Sequence, residues 1–145
     1  MKTMTALELN YLTAILLLNY FNDKVVKKHK ASHENVESFK LNHPAYIDIP
    51  TAFMHLAIIS ARELYEAKAG DGLGDTDWIR LRELRNSIAH AEKIEDQQIR
   101  QIATSKEVFD ILNKLNSYLY DKFDLNNNKK WQKHIKKYYK DLDDY

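Results

Sequence analysis

The sequence predicts an all-α protein, a single-domain antiparallel helical bundle of about five helices. Three observations predict it. Helix breakers are scarce, with 3 Gly and 2 Pro in 145 residues, while Leu, Ile, Ala, Glu and Lys are plentiful. Apolar residues recur at helical spacing through several long segments. All three glycines fall in one short stretch, Gly70-Asp71-Gly72-Leu73-Gly74, so the segments on either side run uninterrupted. A chain of this length can bury one core of its own.

The first helix is expected over roughly Thr5 to Lys30. Leu12, Ile15, Leu16, Tyr20 and Val26 mark its apolar face, which Leu17, Leu18 and Phe21 widen. Its last turns are basic (Lys24, Lys27, Lys28, Lys30), which suits the negative end of the helix dipole. His33 to Ile47 reads as the least regular part, because Pro44 disfavours helix at His43. A second long helix is expected from Pro50 to Ala69, with Asp48 as its cap and Pro50 in its first turn. Phe53, Leu56, Ala57, Ser60 and Leu64 form one face of it, and Met54, Ile58, Ala61 and Tyr65 another. A helix apolar around most of its circumference belongs at the centre of a bundle.

Gly70 is placed to end that helix, and Asp71–Gly74 to form a loop. The loop fits neither calcium nor phosphate. Counting Asp71 as position one, an EF-hand needs an acid at position twelve and finds Arg82, and no Lys-Ser/Thr follows the glycines. The next helix is expected from Asp77 to Lys93, with Asp75 or Thr76 as N-cap. Thr104-Ser105-Lys106-Glu107 reads as a capping box opening a helix whose stripe is Val108, Leu112, Leu115, Leu119 and Phe123. Asn126-Asn127-Asn128 is a short linker. Residues 126–145 then form a lysine-rich C-terminal helix, expected to pack on the bundle of residues 1–125 through Trp131, Ile135, Tyr138 and Leu142.

Composition narrows the function. A formal net charge of +1 gives no global field toward nucleic acid, so any basic surface is local. With no Cys there is no disulfide, no thiol nucleophile and no Cys-built zinc site. His29 and His33 are four apart and share a helical face, but no further His or Cys cluster joins them, so no metal site and no cofactor is expected. The apolar run Ala14-Ile15-Leu16-Leu17-Leu18 is too short to span a bilayer, and no signal peptide is evident, so the expected location is the cytoplasm and no membrane partner is expected.

The chemistry concentrates in Leu84-Arg85-Asn86-Ser87-Ile88-Ala89-His90. At 100° per residue, Leu81, Leu84, Ile88 and Ala91 form the core side of this helix. Asn86 and His90 stack four apart on nearly the opposite side, and Ile79 shares their column. An apolar residue in that column suggests a surface that meets something other than water, most economically a second copy of the same helix. Arg85 points between the faces, beside the Trp78 column and near Arg82. On an ideal helix Arg85 and His90 diverge by about 140°, so a site using both needs a break in the helix or two chains. Arg stays charged and its fork matches phosphate oxygens, while His moves protons near neutrality. That set suffices to cleave RNA without metal. The 2′-hydroxyl is the nucleophile, His90 transfers protons, Arg85 neutralises the phosphate, and Asn86 orients either. One His cannot be base and acid at once, and a symmetric dimer supplies two.

This segment resembles the Arg-x4–6-His signature of HEPN domains (higher eukaryotes and prokaryotes nucleotide-binding), often written with Asn or another polar residue after the Arg. Its setting agrees: a long first helix, a mostly buried second, and a Leu-rich helix afterwards. The resemblance covers about Met4 to Phe123, and only the signature is specific. With five Arg, six His and eleven Asn, Arg-Asn-x3-His arises by chance about 0.016 times in such a chain. The resemblance implies a small helical bundle and a metal-independent endoribonuclease. Members act as toxins, abortive-infection factors or CRISPR-associated effectors, and their site forms where two signatures meet across a dimer. It implies catalytic roles for Arg85 and His90 with Asn86 in support, RNA as substrate, a homodimer, and an antitoxin or nucleotidyltransferase as a further partner. Members partnered with minimal nucleotidyltransferases often carry Tyr two residues after the His. That position is Glu92 here, which argues against silencing by nucleotidylation of that residue.

Arg82, Lys133, Lys136 and Lys137 are the candidates for holding the RNA backbone, with Trp131 or Tyr139 stacking on a base. The competing reading has Trp131 docked on the bundle and the lysines merely solvated. Glu63 and Glu66 are candidates to orient Arg85 from the preceding helix, or to form an exposed ion-pair surface. Two alternatives to the ribonuclease stand beside it. One is a non-catalytic helical module that binds nucleotide or a protein partner. The other is a structural bundle within a larger complex.

Overall fold

A computed structural model describes residues 3–66, 73–89 and 106–144. The described chain is all-helical, with α1 (Ala6–Ser32), α2 (Val36–Asn42), α3 (Ala45–Glu66), α4 (Asp75–Ala89), α5 (Lys106–Lys122), a single 3₁₀ turn (Leu125–Asn127) and α6 (Lys129–Asp143). The expected glycine helix stop, the Thr104-Ser105 cap, Ala91 and the end of the motif helix at Lys93 lie outside the described residues.

α1 opens with a capping box. The Thr5 hydroxyl accepts from the Glu8 amide at 3.2 Å, and Glu8 Oε1 accepts from the Thr5 amide at 3.0 Å. The Thr-x-x-Glu spacing is the sequence signal for this start. Glu8 is only 1% exposed, and its second oxygen accepts from Lys122 Nζ at 2.9 Å. One carboxylate thus caps α1 and ties it to the end of α5. Burial works to raise the pKa of Glu8. The Thr5 amide, Lys122 and the Thr5 hydroxyl together outweigh it, leaving the carboxyl below its ordinary range. One turn on, the buried Tyr11 hydroxyl donates to the Leu112 carbonyl at 2.7 Å. Burial pushes this phenol's pKa up, so it stays a neutral donor. The order of these contacts, 8 with 122 and 11 with 112, sets α1 antiparallel to α5.

α3 occupies the expected central place, packing on α1, α4 and α5. Met54, Ala57, Ile58, Ala61 and Leu64 are fully buried. Phe53 stacks on Phe21 of α1 with centroids 5.5 Å apart. Leu56, expected on the core face, is 47% exposed, so α3 turns one edge outward. Val26 is also exposed, because α1 is 27 residues, about 40 Å, and its last turns run past the common core.

The stretch expected to be irregular contains a helix. Asn35 accepts from the Ser38 amide at 2.8 Å and caps α2. Phe39 anchors α2 by burying its ring between His29 and His43, at 5.3 and 4.7 Å. α3 then begins at Ala45, with the Asp48 amide donating to the Pro44 carbonyl at 2.8 Å. Asp48 therefore sits in the first turn rather than at the cap, and Pro50 lies inside the helix. His43, between the helices, keeps the non-helical backbone that a following proline favours.

α6 docks as expected through Trp131 and Ile135. Trp131 is 8% exposed, and its Nε1 donates to the Tyr120 hydroxyl at 3.2 Å. The third anchor is Tyr139, not Tyr138. Its hydroxyl donates to the Leu16 carbonyl at 3.4 Å, and one turn along both helices Tyr20 donates to Asp143 at 2.5 Å. The matched steps, 16 to 20 and 139 to 143, lay α6 parallel to α1.

Replacing Lys122 with Met leaves Glu8 buried without its cation. Urea unfolding at pH 7 should show a loss of about 3 kcal/mol. The folded-state pKa of Glu8 lies below 4.5, so its contribution is complete above that pH and disappears as pH falls through the folded value. The wild type should lose stability on acidification in this range more steeply than a Glu8→Leu/Lys122→Met double variant.

Candidate RNA-cleaving face

The face is built on α4. The helix starts at Asp75, two residues before the expected start, and the Trp78 amide donates to the Gly74 carbonyl at 3.2 Å. Gly74 therefore takes the N-cap place, and Asp75 and Asp77 fall in the first turn, where the helix dipole favours acids. Trp78, Leu81 and Leu84 are buried, and Ile88 packs partly against the core. Two links fix the helix against α5. Arg80 Nε donates to Glu107 at 2.8 Å, and Lys114 donates to Asp77 at 3.3 Å. Arg80 also reaches Glu83 at 3.3 Å.

With three large side chains directed inward, the other side of α4 faces out. Ile79 is 50% exposed, and Arg82 and Asn86 are exposed with it. Arg85 is half-buried between the faces and has a partner within the chain. These positions agree with the expected geometry for Leu81, Leu84, Ile79, Asn86 and Arg85. His90 lies outside the described residues, so no distance relates it to Arg85.

α3 adds a residue that the sequence reading did not single out. Arg62 lines a shallow pocket of about 350 Å³ with Asp75, Trp78, Ile79 and Arg82. Two guanidinium-bearing side chains and one carboxylate thus meet around an exposed isoleucine. Arg62 and Glu63 together interrupt the apolar run between Ala61 and Leu64, a pattern that an exposed ion-pair surface would give equally. Glu63 is exposed, while Glu66's side chain lies outside the described set. The last turns of α3 meet the first turns of α4 at this pocket. Past the pocket, the outward residues of α3 include Leu56 and Ile49, 47% and 38% exposed.

Arg82, Arg85 and Asn86 therefore share one helix, with Arg62 beside them. Lys133, Lys136 and Lys137 do not join them. They are exposed on α6, which docks on α1 and the end of α5. Trp131 and Tyr139 are not available as stacking platforms, because both are engaged in docking α6. Among the described residues no group of three or more His, Asp or Glu is placed to hold a metal ion. No described helix is long and apolar enough to cross a membrane. Compared with protein-family models, curated proteins and solved structures, the chain matches none.

If the α6 lysines hold an RNA backbone, the Lys133→Ala/Lys136→Ala/Lys137→Ala variant should bind single-stranded RNA more weakly. Its log K against log salt slope should fall by about 2. Filter binding across a salt series measures this, and an unchanged slope would leave the three lysines as solvated charge.

Proposed function

We propose that the chain is a metal-independent endoribonuclease of HEPN type. It works as a cytoplasmic homodimer, in which α4 of each copy contributes Arg85, Asn86 and His90 to a shared site. The observation that carries this reading is the outward face of α4, where exposed Ile79 stands beside Arg82, Asn86 and the pocket holding Arg62. Exposed Ile79, together with exposed Leu56 and Ile49 on the neighbouring α3, favours a partner surface over water. The cations favour a phosphodiester at that surface. The Arg-Asn-x3-His signature supplies the rest: His90 from one copy takes the 2′-hydroxyl proton, and His90 from the other protonates the leaving oxygen. Arg85, with Arg62 and Arg82 nearby, offsets charge on the pentacoordinate phosphate. Asn86 orients the reacting groups. A toxin or phage-defence role, with an antitoxin or nucleotidyltransferase as partner, follows from the same resemblance.

The alternative is a non-catalytic module that uses this face to bind nucleotide or a protein partner. The same half-buried Arg85 and exposed Asn86 support it, since neither role requires His90.

Purified protein should cleave mixed RNA in excess chelator, and His90→Ala should lower the rate by about 10²–10⁴-fold without changing the circular dichroism spectrum. Ile79→Asp should convert the dimer to monomer in sedimentation and remove cleavage with it. A folded wild-type dimer that binds RNA or nucleotide but never cleaves would favour the binding module. An inactive monomer would sink the shared site.

A further inference from the structure

A second concave site lies at the opposite end of the fold's chemistry, and nothing in the ribonuclease reading uses it. The start of α1, the end of α5, the 3₁₀ turn and the first turns of α6 enclose an open groove of about 950 Å³. Its lining is mostly apolar. Met4 and Leu9 form one wall, and Phe123, Leu125 and Trp131 the floor. Leu9 is 42% exposed on α1, one residue from the buried Glu8. The other wall is cationic, with Lys129, Lys130 and His134 exposed along α6. Among the described residues neither Lys129 nor Lys130 has an acidic partner within salt-bridge distance, whereas Lys122, at the groove's inner end, is held by Glu8. The His134 ring stacks on Trp131 at 5.5 Å, which extends the floor up to the cationic rim. Asp124 is the one carboxylate on the lining, and its Oδ1 accepts from the Asn127 side-chain Nδ2 at 2.9 Å.

A strip of exposed hydrocarbon facing unpaired lysines calls for a ligand with the reverse pattern. The volume falls at the upper end of the range for small-molecule sites. The apolar lining that solvent reaches is short, with Leu9 exposed and Met4 and Phe123 half-buried against the core, which suits a single acyl chain and is too narrow for the apolar stripe of a partner helix. We infer that this groove binds a free single-chain amphiphilic anion, with its hydrocarbon along Met4, Leu9 and Phe123 and its carboxylate or phosphate at Lys129 and Lys130. The site is independent of the α4 face, so cleavage activity neither supports nor opposes it.

Titration calorimetry on the full chain tests this with octyl, decyl and dodecyl phosphate below micelle formation, decanoate, decanol, inorganic phosphate and 5′-AMP. One saturable site per chain is expected for the alkyl phosphates and decanoate, tightening about tenfold for each two methylenes added. Decanol and inorganic phosphate should each bind at least tenfold more weakly than decyl phosphate. Lys129→Glu/Lys130→Glu should lower affinity for decyl phosphate at least tenfold while leaving decanol unchanged. Leu9→Glu should weaken both, and each variant should retain the wild-type circular dichroism spectrum. Absence of saturable binding, or equal affinity for decanol and decyl phosphate, would overturn the proposal. So would AMP binding as tightly as decyl phosphate, which would make this a nucleotide site. Sedimentation with phosphatidylglycerol vesicles, without binding to monomeric amphiphile, would replace it with a membrane-docking face.

Discussion

The fold depends on one constraint, that α3 is apolar around most of its circumference and must be covered on several sides. Met54, Ala57, Ile58, Ala61 and Leu64 are all fully buried, and no single neighbour could bury them. α1 covers one side, and α4 and α5 cover the others. Once α4 is held there by Trp78, Leu81 and Leu84, its free face is decided. The residues left outward include Ile79, Arg82, Glu83, Asn86 and Ser87, and the half-buried Arg85 is caught at the edge. The candidate chemistry is thus a by-product of where the central helix needs covering.

Charge is distributed with the same economy. Glu8 is the buried acid among the described residues, and its two oxygens serve separate purposes, a helix cap and a tie to Lys122. Elsewhere the ion pairs are surface links, such as Arg80 with Glu107 and Lys114 with Asp77, whose individual worth is small. They add register rather than much stability. The cations that lack such partners gather on α6 and on the last turns of α1, in a chain whose net charge is only +1. Local surplus, not overall charge, is what an anionic ligand would meet.

Much of this was legible in the sequence, for identifiable reasons. α5 reads cleanly because Val108, Leu112, Leu115 and Leu119 follow one helical stripe, and all four are buried. α3 reads as central because two adjoining faces are apolar. The outward column of Ile79 and Asn86 follows from spacing alone. The short helix α2 was not legible. Its stability rests on Phe39 being clasped by His29 and His43, contacts that periodicity over seven residues does not reveal. Pro50 misled for a related reason: proline favours a first turn, but α3 begins at Ala45, where the Tyr46 ring packs on Phe39 and His43, and carries the proline inside. On α6, Tyr138 and Tyr139 are adjacent, and a small rotation of the helix decides which one docks. Arg62 was overlooked because a single arginine on a buried helix carries no spacing signal until its neighbour across the pocket is known.

The ties between α1 and the far end of the chain have a consequence for how the protein is made. Glu8 waits for Lys122, Leu16 for Tyr139, and Tyr20 for Asp143, separations of 114, 123 and 123 residues. During vectorial synthesis α1 is made before its partners and can pair with α3, but the side meant for α5 and α6 stays open until those helices have left the ribosome. An apolar helix face is therefore exposed while the intervening hundred or so residues are made. The fifteen-residue α6 closes it, so a nascent chain stalled or cut short before Trp131 would present an unfinished core rather than a smaller version of the same bundle.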